Sequence, residues 1–222
     1  MWDSSVISML AEGIRDTLYM TIVSTILGYA VGLPMGVLLA VTDKDGIKPN
    51  AVVYKVLDVI SNIIRSIPFL ILLILLIPFT RALVGKSYGS TATIVPLVVC
   101  AAPYIGRMVE SSLKEVDGGV VEAARAMGAT NWQIIWKVLL VEARPSLIVG
   151  ATICTGTILG YSAMSGTVGG GGLGDIAVRY GYYRWQTDIM IVTVVLLIIL
   201  FQIFQNVGMK CSSKLDHRKH IS

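Results

Sequence analysis

Three groupings in this chain have the residue types and spacing to do chemistry. Gly169, Gly170, Gly171 and Gly172 are consecutive glycines, with the backbone freedom that a phosphate-cradling loop needs. Tyr161, Ser162 and Ser165 bring hydroxyls close together around Met164. His217 and His220 stand in a basic tail. None of the three completes a reaction centre. The glycines follow no predicted strand and precede no Lys-Ser/Thr pair, which rejects a phosphate-binding loop. The hydroxyls have no His or carboxylate beside them to activate a nucleophile. The histidines read as part of a solvated tail rather than a metal site. A fourth stretch, VEAARAMGATNWQII (Val121–Ile135), carries no reactive set but is too polar to cross a bilayer and too patterned for a casual loop.

The elements that must position these groups belong to a membrane protein. The chain is 55% hydrophobic and 14% charged, with a mean hydropathy of +0.74. Soluble domains run at about 45–50% and about 25%, so the excess points to lipid. Five spans are predicted, at about 17–41, 57–80, 91–112, 146–168 and 189–209. A short interfacial helix is expected over 3–16, where Val6, Met9, Leu10 and Ile14 recur at helical spacing. The Met-Trp-Asp start lacks a basic n-region, so the first helix is expected to stay in the mature protein. Lys and Arg divide 12 to 5 between the two sides, with Arg65 inside a span and left out. The richer side is cytoplasmic by the positive-inside rule, which puts the N-terminus outside and the C-terminus inside. The net charge of +4 needs no nucleic acid to explain it. Cys100 and Cys154 fall in spans and Cys211 on the cytoplasmic side, so no disulfide framework is expected.

Within the spans, Gly28, Gly32 and Gly36 form a ladder that would let helix backbones approach closely, against ordinary membrane glycine usage. Pro34 predicts a kink, and Pro68, Pro78, Pro96 and Pro103 predict breaks in spans 2 and 3. Arg65 reads as a snorkelling or helix-end residue, with a functional role as the alternative. The cytoplasmic loop, about 114–145, reads as a helix, a corner and a second helix. Asp117 caps the first helix, Glu122 lies near its first turn, and Val120, Ala124 and Met127 form one apolar stripe. Gly128 ends it, Thr130 or Asn131 caps the next, and Pro145 marks the hand-over to span 4. Such a helix could lie on lipid, simply connect two spans, or enter a protein groove. Bulky residues normally face lipid, and Ala123-Ala124-Arg125-Ala126 has none, which favours a protein partner modestly.

Glu122-Ala123-Ala124, then Gly128, then Val138 and Leu140 resembles the EAA motif of ABC importer permeases. Val138 replaces the usual Ile, and Val141 stands where Pro is usual, with Pro145 four residues on. RSIPFLILL (65–73) and GYSAMSGTVGGGGLGDIAVRYGY (160–182) are similar to the methionine-importer permeases of that family.

The resemblance implies an all-α, five-span type I importer permease fold forming one permease domain in the cytoplasmic membrane. It implies a second copy of the chain, two ATP-binding cassette ATPase subunits and a substrate-binding lipoprotein as partners. ATP and Mg would be bound by the ATPase and no cofactor by this chain, which has no Walker A sequence. Glu122, Ala123, Ala124, Met127 and Gly128 would form the ATPase-coupling segment. Tyr161, Ser162, Met164 and Ser165 are candidates for the pathway or gate, with plain packing an equal alternative. Gly169–Gly172 would contact the binding protein or merely loosen the loop, and Arg179, Arg184 and Asp188 would pair with that partner or with solvent. A permease for another small amino acid is the near alternative. A channel or ion-coupled carrier would call for an intramembrane charge or an inverted repeat, and neither is found. A membrane-embedded enzyme would need a catalytic cluster that the hydroxyls do not make.

Overall fold

The computed structural model describes residues 3–215. His217 and His220 therefore lie outside the described residues. Most of those residues are helical, with no strand among them. The elements are α1 (Ser4–Thr42), α2 (Ala51–Ser66), α3 (Phe69–Leu75), α4 (Ile77–Val84), α5 (Ser90–Lys114) and α6 (Gly118–Ala126). After these come α7 (Asn131–Gln133), a π-helical segment (Ile134–Leu139), α8 (Leu140–Glu142) and α9 (Arg144–Ser165). A 3-10 turn (Gly166–Val168), α10 (Gly172–Ile176), a second π-helical segment (Ala177–Tyr182) and α11 (Thr187–Leu215) complete the chain. Among the described residues, four helical stretches are long and apolar enough to cross a membrane, or five if α2 and α3 count as one broken span.

Several sequence expectations change here. The interfacial helix expected over 3–16 is the first part of α1, which runs 39 residues, about 58 Å at 1.5 Å per residue. Nothing between Ile14 and the apolar run breaks a helix, so the polar start simply continues into the span. Pro34, Pro96 and Pro103 all lie inside unbroken helices. The sharp bend falls at Pro68, where α2 and α3 meet at 101°, and a second boundary, at Leu76 just before Pro78, separates α3 from α4. Pro68 is extended, with φ −56° and ψ 135°, and proline also disfavours helix in the residue before it. Pro78 sits in the first turn of α4, where its missing N–H costs nothing.

Contacts divide the chain into two compact units. The first comprises residues 3–28, Ile67–Ala101 and Thr155–Gln205. Leu10, Leu173, Ile176 and Ile189 form its buried cluster, flanked by Val6, Met9, Ile14, Tyr180 and Leu200. The segment between α9 and α11, expected as an external loop, is a folded helical hairpin. Gly166 packs directly on the Gly174–Asp175 backbone, and Gly174 on that of Ala163. Leu173 has no exposed surface, and its N–H donates to Thr17 Oγ1 at 2.9 Å.

The second unit comprises Tyr29–Ser66, Ala102–Cys154 and residues 206–215. Here Gly32 and Gly36, two of the three ladder glycines of α1, make the close approach expected of them. A Cβ on Gly32 would lie 2.6 Å from the Ala102 carbonyl oxygen, and one on Gly36 would lie 2.6 Å from Val109 Cβ. Gly208 of α11 likewise packs on Thr152 of α9. Ser212 donates to the Pro145 carbonyl at 3.0 Å, fixing the end of α11 to the start of α9.

Candidate functional site

The EAA segment is α6 and the corner after it. Gly119 N–H donates to Asp117 Oδ1 at 2.8 Å, the expected N-cap. Glu122 falls in the second turn rather than the first, since α6 begins at Gly118. The helix ends in a paired C-cap: Ala129 N–H donates to the Ala124 carbonyl (3.0 Å) and Gly128 N–H to that of Arg125 (2.9 Å). Gly128 has φ +82°, a conformation that a side chain disfavours, and this fixes why glycine stands there. Thr130 then starts the next helix with a full capping box. Gln133 N–H donates to Thr130 Oγ1 (3.3 Å), and Thr130 N–H to Gln133 Oε1 (2.8 Å).

The face this geometry presents is narrower than the sequence suggested. Ala124 is buried, but Val120 is exposed and Met127 is 83% exposed. Glu122, Ala123, Met127 and Gly128 make an open surface, and Ala124 is the contact that seats α6 on its own unit. Arg125 Nη2 donates to the Ile47 carbonyl at 2.8 Å, tying α6 to the turn between α1 and α2. A cavity of about 420 Å³ lies alongside, lined by Asp43, Ile47, Leu113, Lys114, Val121 and Arg125.

Immediately before α6 stands a charge network that the sequence reading missed. Glu110 is buried, with its side chain 5% exposed, yet it accepts from Arg107 Nη1 and Lys114 Nζ, both at 2.7 Å, and from Tyr54 Oη at 3.2 Å. Arg107 also pairs with Asp58 of α2, and Lys114 with Asp43 at 2.8 Å. The Lys114 ammonium holds the Asp43 carboxyl below the usual carboxylate range. An isolated ion would pay a large desolvation cost here, and the mutual pairing is what makes the burial tolerable. The signal available in the sequence was the i, i+3 and i, i+4 spacing of Arg107, Glu110 and Lys114.

The pathway candidates lie in the other unit, and the structure does not bring them onto one surface. Tyr161 stacks on Phe69, rings 4.7 Å apart and 6° from parallel. Ser162 and Ser165 are buried, with hydroxyls donating to the Leu159 (2.8 Å) and Ser162 (2.6 Å) carbonyls. Met164 is 49% exposed. Of the tetraglycine, Gly170 and Gly172 are buried and Gly169 is exposed. Gly89 N–H donates to the Gly169 carbonyl at 2.9 Å, so the run is tied down rather than loose. Arg179 pairs with Asp175 and Arg184 lies over the Tyr180 ring, giving both an internal partner. Asp188 is in the first turn of α11, where the helix dipole favours it. Arg65 is exposed in the last turn of α2, the helix-end role expected of it.

This arrangement of helices and capped corner has known counterparts. The family model described as binding-protein-dependent transport system inner membrane component matches residues 32–208. The probable D-methionine transport system permease protein of Vibrio cholerae is 49% identical, covering 95% of this chain and 93% of its own. The D-methionine transport system permease protein of Escherichia coli K12 is 55% identical over 71% of this chain and 73% of its own. Among solved structures, a methionine ABC transporter in inward-facing conformations matches with a TM-score of 0.96 at 49% identity, over 97% of this chain and 100% of that one. With four-fifths of its length inside the family model and near-complete coverage by relatives this similar, the chain belongs to the family of binding-protein-dependent transport system inner membrane components.

Proposed function

We propose that this chain is the membrane-spanning permease subunit of an ATP-driven importer that takes up methionine, in the L or D form. The observation that carries this is the 49% identity to the inward-facing methionine transporter structure across 97% of the chain. In this reading the chain spans the cytoplasmic membrane five times, with α2 and α3 making one broken span, its N-terminus outside and its C-terminus inside. It works as one permease domain paired with a second copy. Two ATPase subunits bind ATP and Mg, and this chain binds no cofactor. A binding lipoprotein delivers substrate from outside, touching the surface around Gly169–Gly172.

The open face of Glu122, Ala123 and Met127, stopped at Gly128, is the part that an ATPase groove would grip. Small side chains allow close approach, and Glu122 supplies a charge at the rim. Closure of the ATPase pair would then displace α6 and open or shut a route past Tyr161 and Met164, with Ser162 and Ser165 setting the α9 backbone behind them. An ion-coupled carrier is disfavoured because it needs a carboxylate free to take up its ion, whereas Glu110 is already held by two cations and a phenol. Reconstitution with the ATPase and lipoprotein subunits tests the reading. ATP-dependent uptake preferring methionine is the expected result, and preference for another amino acid overturns the substrate.

A further inference from the structure

Resting on that reading, we infer that the Asp43–Lys114–Glu110–Arg107–Asp58 network is the joint that carries displacement of α6 into α1 and α2, with Glu110 its central positioning residue. Its members come from three places: Asp43 follows α1, Tyr54 and Asp58 belong to α2, and Arg107, Glu110 and Lys114 to α5. Glu110 holds both cations, and each cation reaches one further carboxylate on a different element. α5 is thereby bonded to α2 through Arg107 and Tyr54, and to the end of α1 through Lys114. Only Glu115, Val116 and Asp117 separate Lys114 from α6. Arg125 adds a second tie, from α6 to the α1–α2 turn at Ile47. α6 is thus fastened at both ends to one framework.

The chemistry suits a rigid joint. Apolar packing alone allows neighbouring helices to slide, whereas the charge-assisted bonds from Arg107 to Asp58 and from Lys114 to Asp43 fix direction as well as distance. Glu110, on the same helix as both cations, holds them in place for those bonds, and moving α1 or α2 alone would break one of them.

The test uses the complete complex in proteoliposomes, with hydrolysis and uptake read in the same vesicles. Glu110→Gln keeps the shape and removes the charge. ATP hydrolysis should persist while methionine moved per ATP falls by about fivefold or more. Glu110→Asp should restore part of the ratio, and Asp43→Asn and Asp58→Asn, which each release one element, should lower it less. A second readout is independent of substrate: nitroxides at Ile63 of α2 and Ala126 of α6, in a chain with Cys211→Ser. Their separation should be unchanged by ATP with Glu110 present, and should shift or broaden on ATP addition in Glu110→Gln. An unaltered uptake-to-ATP ratio in Glu110→Gln, or an identical spin-label response in both proteins, overturns the joint. If Glu110→Gln fails to assemble, Asp43→Asn and Asp58→Asn decide in the same way. A wild-type complex that keeps the label separation fixed but moves no methionine contradicts the substrate reading and leaves the joint standing.

Discussion

The two compact units differ in how they bury their most polar groups. In the first, the joints are neutral: Thr17 accepts from the Leu173 N–H, Gly89 donates to Gly169, and glycines let backbones touch. The second uses the same glycine device at Gly32, Gly36 and Gly208 and adds an ionic joint, with three carboxylates and two cations meeting around Glu110. Each unit tolerates unmatched groups. The first leaves the hydroxyls of Thr21, Ser24 and Thr80 buried with no partner among the described residues, and the second leaves Arg107 Nε so. An unmatched hydroxyl costs about 1–3 kcal/mol, which a large apolar interior can absorb. An unmatched carboxylate costs far more, and Glu110 has a partner on every side. Close packing holds the hairpin of the first unit, and the second adds a buried charge network to close packing of its own.

If that contrast is right, the largest losses come from breaking shape in the first unit. Gly174→Val places a Cβ where it would meet the Ala163 backbone, with Ala163 Cα at 2.6 Å. Backbone cannot step aside as a side chain can, so the cost is about 3 kcal/mol. Thermal unfolding in detergent reads it, and a variant as stable as wild type would show that the hairpin is not shape-limited.

The matching change in the second unit is Glu110→Ala. Deleting one partner of a buried ion pair can cost about 3–5 kcal/mol, but Asp58 and Asp43 remain to pair Arg107 and Lys114, so about 2 kcal/mol is expected here. The same melting experiment checks it. A loss exceeding that of Gly174→Val would reverse the order of the two units.

What the sequence made legible follows from how local each feature is. The cap at Asp117, the corner at Gly128 and the cap at Thr130 depend on neighbours within a few residues, and all three are found in the expected roles. The Gly32 and Gly36 approach is legible because small residues spaced by four share a helix face. The prolines were harder. A proline marks a lost hydrogen bond, but whether the helix breaks depends on what packs around it, and only Pro68 ends one in a sharp bend. The tetraglycine suggested looseness because burial is a tertiary property, and Gly170 and Gly172 are buried. The ionic joint stayed hidden because Arg107 meets Asp58 across 49 residues of sequence. Its α5 half was visible in the spacing; its partners needed the fold.

Thr17 sharpens the neutral side of the comparison. Thr17→Val removes the acceptor of a buried backbone N–H, and about 1.5 kcal/mol should be lost. Thr17→Ser keeps the oxygen and should recover most of it. Equal melting temperatures for the Val and Ser variants would mean that the Leu173 bond contributes nothing to holding the hairpin.

Asp43 gives the smallest effect and the one that separates charge from shape. Its folded pKa lies below the ordinary carboxylate value because Lys114 favours the ionised form. The linkage sign follows directly: its contribution is fully present above the unfolded value of about 4 and is lost as pH falls through the folded value. Asp43→Asn removes that contribution at every pH. The stability gap between wild type and Asp43→Asn should therefore be constant above about pH 5 and close on further acidification. Thr17→Val, which alters no ionisable group, should show a gap that stays the same throughout. Melting curves for the three proteins across the acid range check both statements together. A pH-independent gap for Asp43→Asn would mean that its carboxylate acts by shape alone, and the ionic unit would lose its distinction from the neutral one at that corner.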